Sequence, residues 1–452
     1  MSFISVILSA GMGTRMKSRV PKVLHEVCGK PLTRWVIEAS KNAGADEIVT
    51  VIGHKGETVR EALDGLTEFA VQSEQLGTGH AVMQAGEYIK KCAGFVVILN
   101  GDAPLITAKT IENAVRYHAD SGNSATVITA VLEDSTGYGR IVRDADGNVL
   151  KIVEQKDADA EELLIKEINS GMYVFGADKL AYALEKITPN NAQGEYYLTD
   201  TLAILLENGN KIGAYTLEDN DEIRGINDRL QLSEAEKIMR KRINNRHMLG
   251  GVTMRDPDNT YIEDTVEIDP DVIIEANVSL SGNTKICGGA VIGSGSKIIN
   301  SRIGSGTEVM SSVITDSTVG ENSHIGPFAY IRPGSEVGGN VKVGDFVELK
   351  NAVIGSGTKI SHLTYIGDSD VGENVNFGCG CVTVNYDGKK KYRTVVEDNA
   401  FIGCNTNLVS PVTVRKNAYI AAGSTITDEV PENSLAVARS RQVVKTDWKD
   451  KR

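Results

Sequence analysis

Two groups of residues in this 452-residue chain have the types and spacing to do chemistry. The first is Ser9-Ala10-Gly11-Met12-Gly13-Thr14-Arg15, followed by Pro21-Lys22. A glycine-rich turn after a strand aims several backbone N–H groups at one point, where they can cradle phosphate oxygens. Arg15 and Lys22 add two cations beside it, which suits a polyphosphate better than a mere tight turn. The turn fails as a dinucleotide fingerprint, because Met16 stands where the third glycine belongs. It fails as a Walker A loop, because no Gly-Lys-Ser/Thr follows. Asp102 closes the run Phe95-Val-Val-Ile-Leu-Asn-Gly-Asp102, just past the carboxyl end of an expected buried strand. Open α/β sheets place ligands there, and one carboxylate completed by phosphate oxygens and water is a common setting for Mg²⁺. The alternative for Asp102 is a helix cap ahead of Ala103-Pro104.

The second group centres on His362, in Ile360-Ser-His-Leu-Thr-Tyr365. Arg332 and Lys350 lie 30 and 12 residues before it, and Tyr365 lies 3 after it. Taken as whole-coil distances in a repeating structure, these spacings gather all four along one edge. A lone histidine is more often structural than catalytic. The polar, basic stretch Asn385–Thr394 (NYDGKKKYRT) close by favours the catalytic reading, since insertions in a solenoid loop out on one face and often carry function.

The elements that must hold these residues differ in kind. In residues 1 to about 228, short apolar runs alternate with helical patterns. Strands are expected at Phe3–Leu8, Glu47–Ile52, Phe95–Leu99, Ala125–Val131 and Gly171–Phe175, and helices at Leu32–Ala43 and Ala108–Ser121. That alternation predicts an α/β domain with a largely parallel sheet. A helix is expected at about Asp228–Met248, with Ser233 and Glu236 spaced as a capping box near its start. Its basic residues read as a solvated face rather than a nucleic-acid surface. From Ile262 to Ile298, Val319 to Leu349 and Val396 to Ile426, every sixth residue is aliphatic. No helix or simple amphipathic strand has that period; it marks a hexapeptide parallel β-helix whose coils stack about 4.8 Å apart. Gly293, Gly304, Gly320, Gly326, Gly338, Gly355, Gly372 and Gly403 each follow an inward aliphatic residue, where a backbone without Cβ suits a tight corner. The tail beyond Pro431 is polar and charged and is expected to fray.

Composition narrows the functions. A net charge of −12 argues against a nucleic-acid coat or a binder of anionic membranes, so anionic substrates need local basic sites. Six scattered cysteines fit reduced thiols in the cytoplasm better than a disulfide framework. The apolar start has no basic region before it and reads as a buried strand, and no apolar stretch is long enough to span a membrane.

The motifs LSAGMGTRM with PK, QLGTGHA, GDAPL, GYGRI, NSGMYVF, GEYYLTD and GIND together resemble a sugar nucleotidyltransferase. With the repeats, essentially the whole chain is similar to the family of bifunctional N-acetylglucosamine-1-phosphate uridyltransferases / glucosamine-1-phosphate N-acetyltransferases. The resemblance implies an α/β Rossmann-like nucleotidyltransferase domain over residues 1–228, a linker helix over 229–248, and a left-handed β-helix acetyltransferase domain over 249–452. It implies that Leu8, Ser9, Ala10, Gly11 and Lys22 hold the uridine nucleotide and its phosphates, and that Gln72, Gly77 and Thr78 read the uracil. Gly139, Glu154 and Asn169 would bind the sugar. Asp102 and Asn227 would carry Mg²⁺, with Asn227 also at the nucleotide-sugar site, and Lys22 and Arg15 would neutralise charge during transfer.

In the other half the resemblance gives Arg332 and Lys350 the sugar phosphate, His362 the role of general base, and Tyr365 and Asn376 the sugar. Asn385 and Tyr386 of the insertion join Cys379, Cys404, Ala422 and Arg439 in contacting acetyl-CoA. Two positions depart from the family pattern: Ser9 stands where Ala is usual, and Cys404 where Ser is commoner. Further implications are a cytoplasmic homotrimer with active sites between adjacent subunits, and glucosamine-1-phosphate, N-acetylglucosamine-1-phosphate, UTP and acetyl-CoA as substrates. The product, UDP-N-acetylglucosamine, would feed peptidoglycan, cell-wall and lipopolysaccharide synthesis. Two other readings compete. One is a single-activity nucleotidyltransferase with a purely structural β-helix, against which stand the many coils and the basic companions of His362. The other is a zinc hydratase, which needs three histidines where the repeats offer His324 and His362.

Overall fold

Phe3–Ser9 is apolar at almost every position, as a strand covered on both faces must be, and it lies inside the sheet of the N-terminal unit. The computed structural model describes residues 1–191 and 193–449, so residues 450–452 of the expected frayed tail lie outside the described residues. Clustering of contacts gives two units, Met1–Met239 and Arg240–Arg452.

In the first unit the strand order is Ile212–Thr216, Ala125–Val131, Glu167–Gly176, Phe95–Asn100, Phe3–Ser9, Glu47–Ile52, Glu68–Val71. Pairing is parallel except for Glu167–Gly176, which is antiparallel to both neighbours. The expected strands stand where the apolar runs put them. The last begins four residues early, at Glu167, because its polar stretch Asn169-Ser170-Gly171 interrupts the register against Ala125–Val131. The hairpin Gly139–Arg143 with Val149–Val153 and the strands Glu68–Val71 and Ile212–Thr216 carry weaker apolar patterns and were not expected. The helices Leu32–Asn42 and Ala108–Asp120 form as expected, and Thr107 caps the second by accepting from Thr110 N.

The capping box is not formed. The long helix runs Arg229–Leu249, and the Asp228 carboxylate accepts from Gln231 N at 2.9 Å. Ser233 lies a full turn inside, and Glu236 instead accepts from the backbone N–H of Cys28 at 2.7 Å. The S-x-x-E spacing there served tertiary contact, not the helix end. Among the described residues no helix is long and apolar enough to cross a membrane.

The second unit is built from strands of two to seven residues in an 11-stranded and a 17-stranded parallel sheet. Coils differ in length: Ser279 pairs with Lys297, Lys297 with Val313, and Lys342 with Lys359, so one turn takes 18, 16 or 17 residues. The aliphatic beat does not lapse between Ile298 and Val319. Ile303, Val309 and Ile314 are fully buried there, three of the four steps having shortened to five residues. A period of six hides them, because the corner lost a residue while the inward position was kept.

The glycines after inward residues serve close approach rather than left-handed turns. Gly304, Gly320, Gly355 and Gly403 do not have positive φ. A Cβ on Gly320 would lie 2.5 Å from the carbonyl carbon of Gly338 in the next coil, and one on Gly403 would lie 2.6 Å from Ala422 N. Of the eight, Gly326 alone has a left-handed φ. The left-handed corners are occupied mostly by other residues: Asn277, Gly295, Ser311, Phe328, Phe346, Leu363, Gly380, Asn405 and Gly423 form one corner column, all with positive φ. Gly320→Ala is expected to lower the stability of this unit by about 1–3 kcal/mol through overpacking. Gly295→Asn, with open space and a conformation Asn tolerates, is expected to change it by less than about 0.5 kcal/mol. Thermal unfolding of both at one protein concentration checks this, and equal shifts would refute the close-approach account.

Candidate active sites

Lys22 opens a short 3-10 turn after Pro21, and its ammonium donates to the Asp102 carboxylate and, at 3.1 Å, to Asn227 Oδ1. Gly13 lets the glycine-rich turn lie against it: a Cβ there would sit 2.5 Å from Lys22 Cβ. Leu8, Ser9, Gly11, Arg15, Lys22, Asp102 and Asn227 line one cavity of about 500 Å³ at the carboxyl end of the sheet. Two oxygens from separate loops thus converge on one cationic point, with the Lys22 ammonium standing in for a metal. That donor set fits a small hard cation, with further positions left for phosphates and water.

A second cavity of about 380 Å³ is lined by Thr78, Glu154 and Asn169 and shares Leu8, Asn100 and Gly137 with the first. Gly139 packs beside Glu154, where a Cβ would lie 3.3 Å from the carboxylate. Gln72 is buried and donates to Gly77 O and meets His80 Nδ1, both at 3.1 Å. Gly77 must be glycine, since its φ is 106° and a Cβ would lie 2.6 Å from Tyr196 O. Thr78 accepts from Leu198 N, and Ala10 O accepts from Gln75. Of the nucleotidyl-site residues expected from sequence, Leu8, Ser9, Gly11, Arg15, Lys22, Thr78, Asp102, Glu154, Asn169 and Asn227 line these two cavities, and Ala10, Gln72, Gly77 and Gly139 do not. Ser9, the departure from the usual Ala, is buried with its hydroxyl 3.2 Å from that of Thr33, so its polar group is satisfied.

In the β-helix, His362 and the basic residues stand on different walls. Asp345 and His362 end consecutive strands of the 11-stranded sheet, while Lys350 and Tyr365 belong to the 17-stranded one and Arg332 follows a strand of it. The whole-coil reading is corrected: 12 and 30 are multiples of a hexad but not of a 16- to 18-residue coil. Arg332 and Lys350 do stack on each other, one coil apart, and the turn at Leu363-Thr364 carries the chain from His362 to Tyr365. Arg332 pairs with Glu348 at 2.7 Å, and Lys350 with Asp368 at 3.1 Å. Asp368 also accepts from Asn351 at 2.7 Å and from Asn385 of the insertion at 2.5 Å. Burial opposes its ionisation, but these donors outweigh it and hold its carboxyl below the usual range. Lys391 of the insertion comes close enough to Lys350 for its own pKa to be pushed down.

Three of the residues expected at acetyl-CoA, Cys379, Cys404 and Ala422, fall into one column with His362, whereas Asn385 and Tyr386 lie in the insertion. Register extends from Asp345 through His362 to Cys379, and the ladder Leu363 N to Asp345 O, Asn405 N to Cys379 O and Gly423 N to Cys404 O continues it to Cys404 and Ala422. Arg439 donates to Ala422 O at 3.0 Å, and Asn376 pairs with Lys359 on His362's own wall. Tyr386 stands apart: its ring is 55% exposed and its hydroxyl donates to Gly388 O inside the insertion. The insertion lengthens one coil to 25 residues, from Val382 to its partner Asn407, and Arg393 staples it through two bonds to Asp370.

The nucleotidyl transferase family profile matches residues 4–237, and the bacterial transferase hexapeptide profile (six repeats) matches 316–351 and 393–428. The chain is 57% identical over 445 residues to the bifunctional protein GlmU of Acetivibrio thermocellus, covering 98% of this chain and 96% of that one. It is 55% identical to the GlmU of Caldanaerobacter subterraneus subsp. tengcongensis, over 99% and 98% of the two chains. With that of Clostridioides difficile it shares 53% over 100% and 98%.

The chain belongs to the bifunctional GlmU family. It is a transferase with a nucleotidyltransferase half and a hexapeptide acetyltransferase half, and both family profiles fall on the units that hold the two sites. For a GlmU, several site residues escaped the sequence reading. Asn100, Ser170 and Tyr197 line the nucleotidyl cavities, and polar residues at the carboxyl ends of adjacent strands were the available signal. Asp368 and Asp345 lie 18 residues after Lys350 and 17 before His362. One coil length of separation would have found both.

Glu154 supplies a pH test. Burial, then the charges of Asp157 and Asp200, raise its pKa. The folded protein therefore holds this proton more tightly than the unfolded chain does. Ionised Glu154 opposes folding above the raised pKa, and the penalty vanishes as pH falls below the ordinary carboxylate value. Glu154→Gln is expected to raise the melting temperature at pH 8, to lose that gain near pH 4, and to weaken uridyl transfer. A melting temperature unchanged or lowered at pH 8 would contradict this sign.

Proposed function

We propose that the protein makes UDP-N-acetylglucosamine in two steps in the cytoplasm, acetyl transfer first on residues 249–452 and uridyl transfer second on residues 1–228, the halves joined by the helix over 229–248. The observation that carries the reading is the pairing within each half: Lys22, Asp102 and Asn227 on one point, and His362 on Asp345, one corner of the coil away from the wall on which Arg332 and Lys350 stack.

For acetyl transfer, Arg332 and Lys350 take the phosphate of glucosamine-1-phosphate, and Tyr365 and Asn376 position its sugar. An ammonium is no nucleophile, so a base is needed, and a neutral imidazole with a free ring nitrogen can serve. His362 takes the amine proton as nitrogen attacks the acetyl carbonyl, and as the C–S bond breaks the imidazolium gives that proton to the departing thiolate, releasing CoA as its thiol. Acetyl-CoA lies along Cys379, Cys404 and Ala422, with Arg439, Asn385 and Tyr386 at its edge. Cys404 keeps a small side chain there, as the commoner Ser does.

For uridyl transfer, a phosphate oxygen of N-acetylglucosamine-1-phosphate attacks the α-phosphorus of UTP, and pyrophosphate leaves in line. No covalent intermediate is required. Leu8 to Gly11 cradle the nucleotide, Gln72, Gly77 and Thr78 read the base, and Gly139, Glu154 and Asn169 hold the sugar. Two anions must meet, so catalysis is mainly positioning and charge neutralisation. Bound Mg²⁺, held by Asp102 and Asn227, would supply Lewis-acid stabilisation of phosphate charge. A cation at that point leaves the Lys22 ammonium, with Arg15, to the phosphates.

A homotrimer with sites between subunits belongs to this reading. Its support is the run Phe328, Phe346 and Leu363, each 57–58% exposed in a left-handed conformation that costs bulky residues about 1–2 kcal/mol. Phe328 and Phe346 stack at 5.5 Å, next to the Asp345–His362 column. Apolar residues placed at such cost on a surface fit a subunit contact. Phe346→Glu is expected to shift sedimentation toward monomer and to lower acetyl transfer at least tenfold; an unchanged trimer would refute this contact.

Lys22→Ala and Asp102→Ala are each expected to abolish uridyl transfer and spare acetyl transfer, and His362→Ala to do the reverse. Pyrophosphate release and CoA-thiol release, assayed on the same preparations, check all three. Wild-type rates from Asp102→Ala would sink the metal assignment. Joint loss of both activities in folded His362→Ala would sink the two-site reading.

A further inference from the structure

Resting on the reading of His362 as the base, we infer that Asp345 is its positioning residue, fixing the imidazole tautomer and supporting the imidazolium formed during acetyl transfer. Asp345 ends the strand Lys342–Asp345, His362 ends Lys359–His362, and the two are register partners. Their side chains meet at 2.6 Å between Asp345 Oδ1 and His362 Nδ1. The backbone holds that contact from the next residue, where Leu363 N donates to Asp345 O at 2.9 Å.

The chemistry of the pair is directional. An ionised carboxylate only accepts hydrogen bonds, so Nδ1 carries the proton and Nε2 keeps its lone pair free to act as base. The hydrogen bond from His362 comes first among the influences that hold the Asp345 carboxyl below its usual range, keeping it ionised at neutral pH. When Nε2 accepts the amine proton, a full positive charge develops within hydrogen-bond distance of this carboxylate. Such charge-assisted pairs are about twice as strong as neutral ones. The favourable interaction therefore grows as the reaction proceeds, which is the condition for lowering a barrier rather than merely binding substrate.

Other ionisable groups around the pair are Lys342 on the strand of Asp345, Lys359 on the strand of His362, Cys379 in the coil stacked beyond it, and Tyr365 past the corner. Lys342 also favours ionised Asp345. Asp345 is the member in direct contact with the imidazole. The pair is accessible, with the His362 side chain 55% and that of Asp345 38% exposed, so its effect is a matter of geometry and local charge rather than deep burial.

The test uses the full-length protein and two variants. Asp345→Ala removes both the acceptor and the charge; kcat for acetyl transfer is expected to fall about ten- to a hundredfold, with KM for glucosamine-1-phosphate and acetyl-CoA within about twofold. Asp345→Asn keeps an oxygen that can accept from Nδ1 and so should recover part of kcat. Without the charge, the acid limb of its kcat/KM profile should move to lower pH by about half a unit to one unit. Thermal unfolding and sedimentation of the same samples, compared with wild type, report that the β-helix of each variant is folded. An acid limb in Asp345→Asn that coincides with wild type, whatever the rate, overturns the assignment. Acetyl transfer surviving in His362→Ala overturns the reading beneath it instead.

Discussion

The in-register hydrogen bonding of each coil to the next is the constraint on which the repeat half depends. It sets coils about 4.8 Å apart and places every residue directly over one particular residue of the coil before. Neighbourhood is thereby decided by coil length, 16 to 18 residues, and not by the six-residue beat. The same ladder that stacks Ile331 on Leu349 in the core stacks Arg332 on Lys350 outside it, and Asp345 under His362 at a corner. A slip of one residue would exchange the inward and outward sets. The buried aliphatic column thus protects the geometry of the site as well as the fold.

That ladder also distributes strain. Each coil has a left-handed residue at the corner following the His362 column, and most coils fill it with Gly, Asn or Ser. In three consecutive coils the position holds Phe328, Phe346 and Leu363, which are both conformationally costly and exposed. Phe346 and Leu363 directly follow Asp345 and His362, and Phe328 lies one coil before. Unfavourable backbone and exposed apolar surface coincide with the chemistry, as expected where packing elsewhere over-determines the local conformation. The insertion follows the same logic, since Arg393 bonds two coils while Asn385 closes on Asp368.

Much of this was legible in sequence, and the losses have physical reasons. The strands carrying the nucleotidyl site are buried on both faces, so their apolar runs stood out and fixed where Leu8 and Asp102 would lie. Glu167–Gly176 was seen in part, because the bulge that presents Asn169 requires a polar interruption. The repeats announced themselves at period six, but Val309 and Ile314 escaped, and Ile303 was marked only by the glycine after it, because a corner can lose a residue without disturbing the core. Asp345 and Asp368 escaped because a carboxylate's partner in a solenoid is one coil away, a separation that no local pattern displays. Ser233 and Glu236 misled because a spacing that can cap a helix can equally sit inside one.

Both sites resolve the same electrostatic difficulty. On the proposed assignments a chain of net charge −12 would bind phosphates with cations that are already paired: Lys22 with Asp102, Arg332 with Glu348, Lys350 with Asp368. Pairing holds each long side chain in place before substrate arrives, so less conformational freedom is lost on binding. It also raises the threshold for entry, since an incoming anion must compete with a carboxylate for the same ammonium or guanidinium. A weakly held monoanion loses that competition, whereas a phosphate bringing about two charges and several acceptor oxygens can win it. In the nucleotidyl cavity the displaced partner would itself be put to use, because an Asp102 freed from Lys22 could serve as an oxygen donor for a divalent cation. On that reading substrate and metal would each favour the rearrangement that the other requires, and the acidic character of the chain would become a source of selectivity rather than an obstacle.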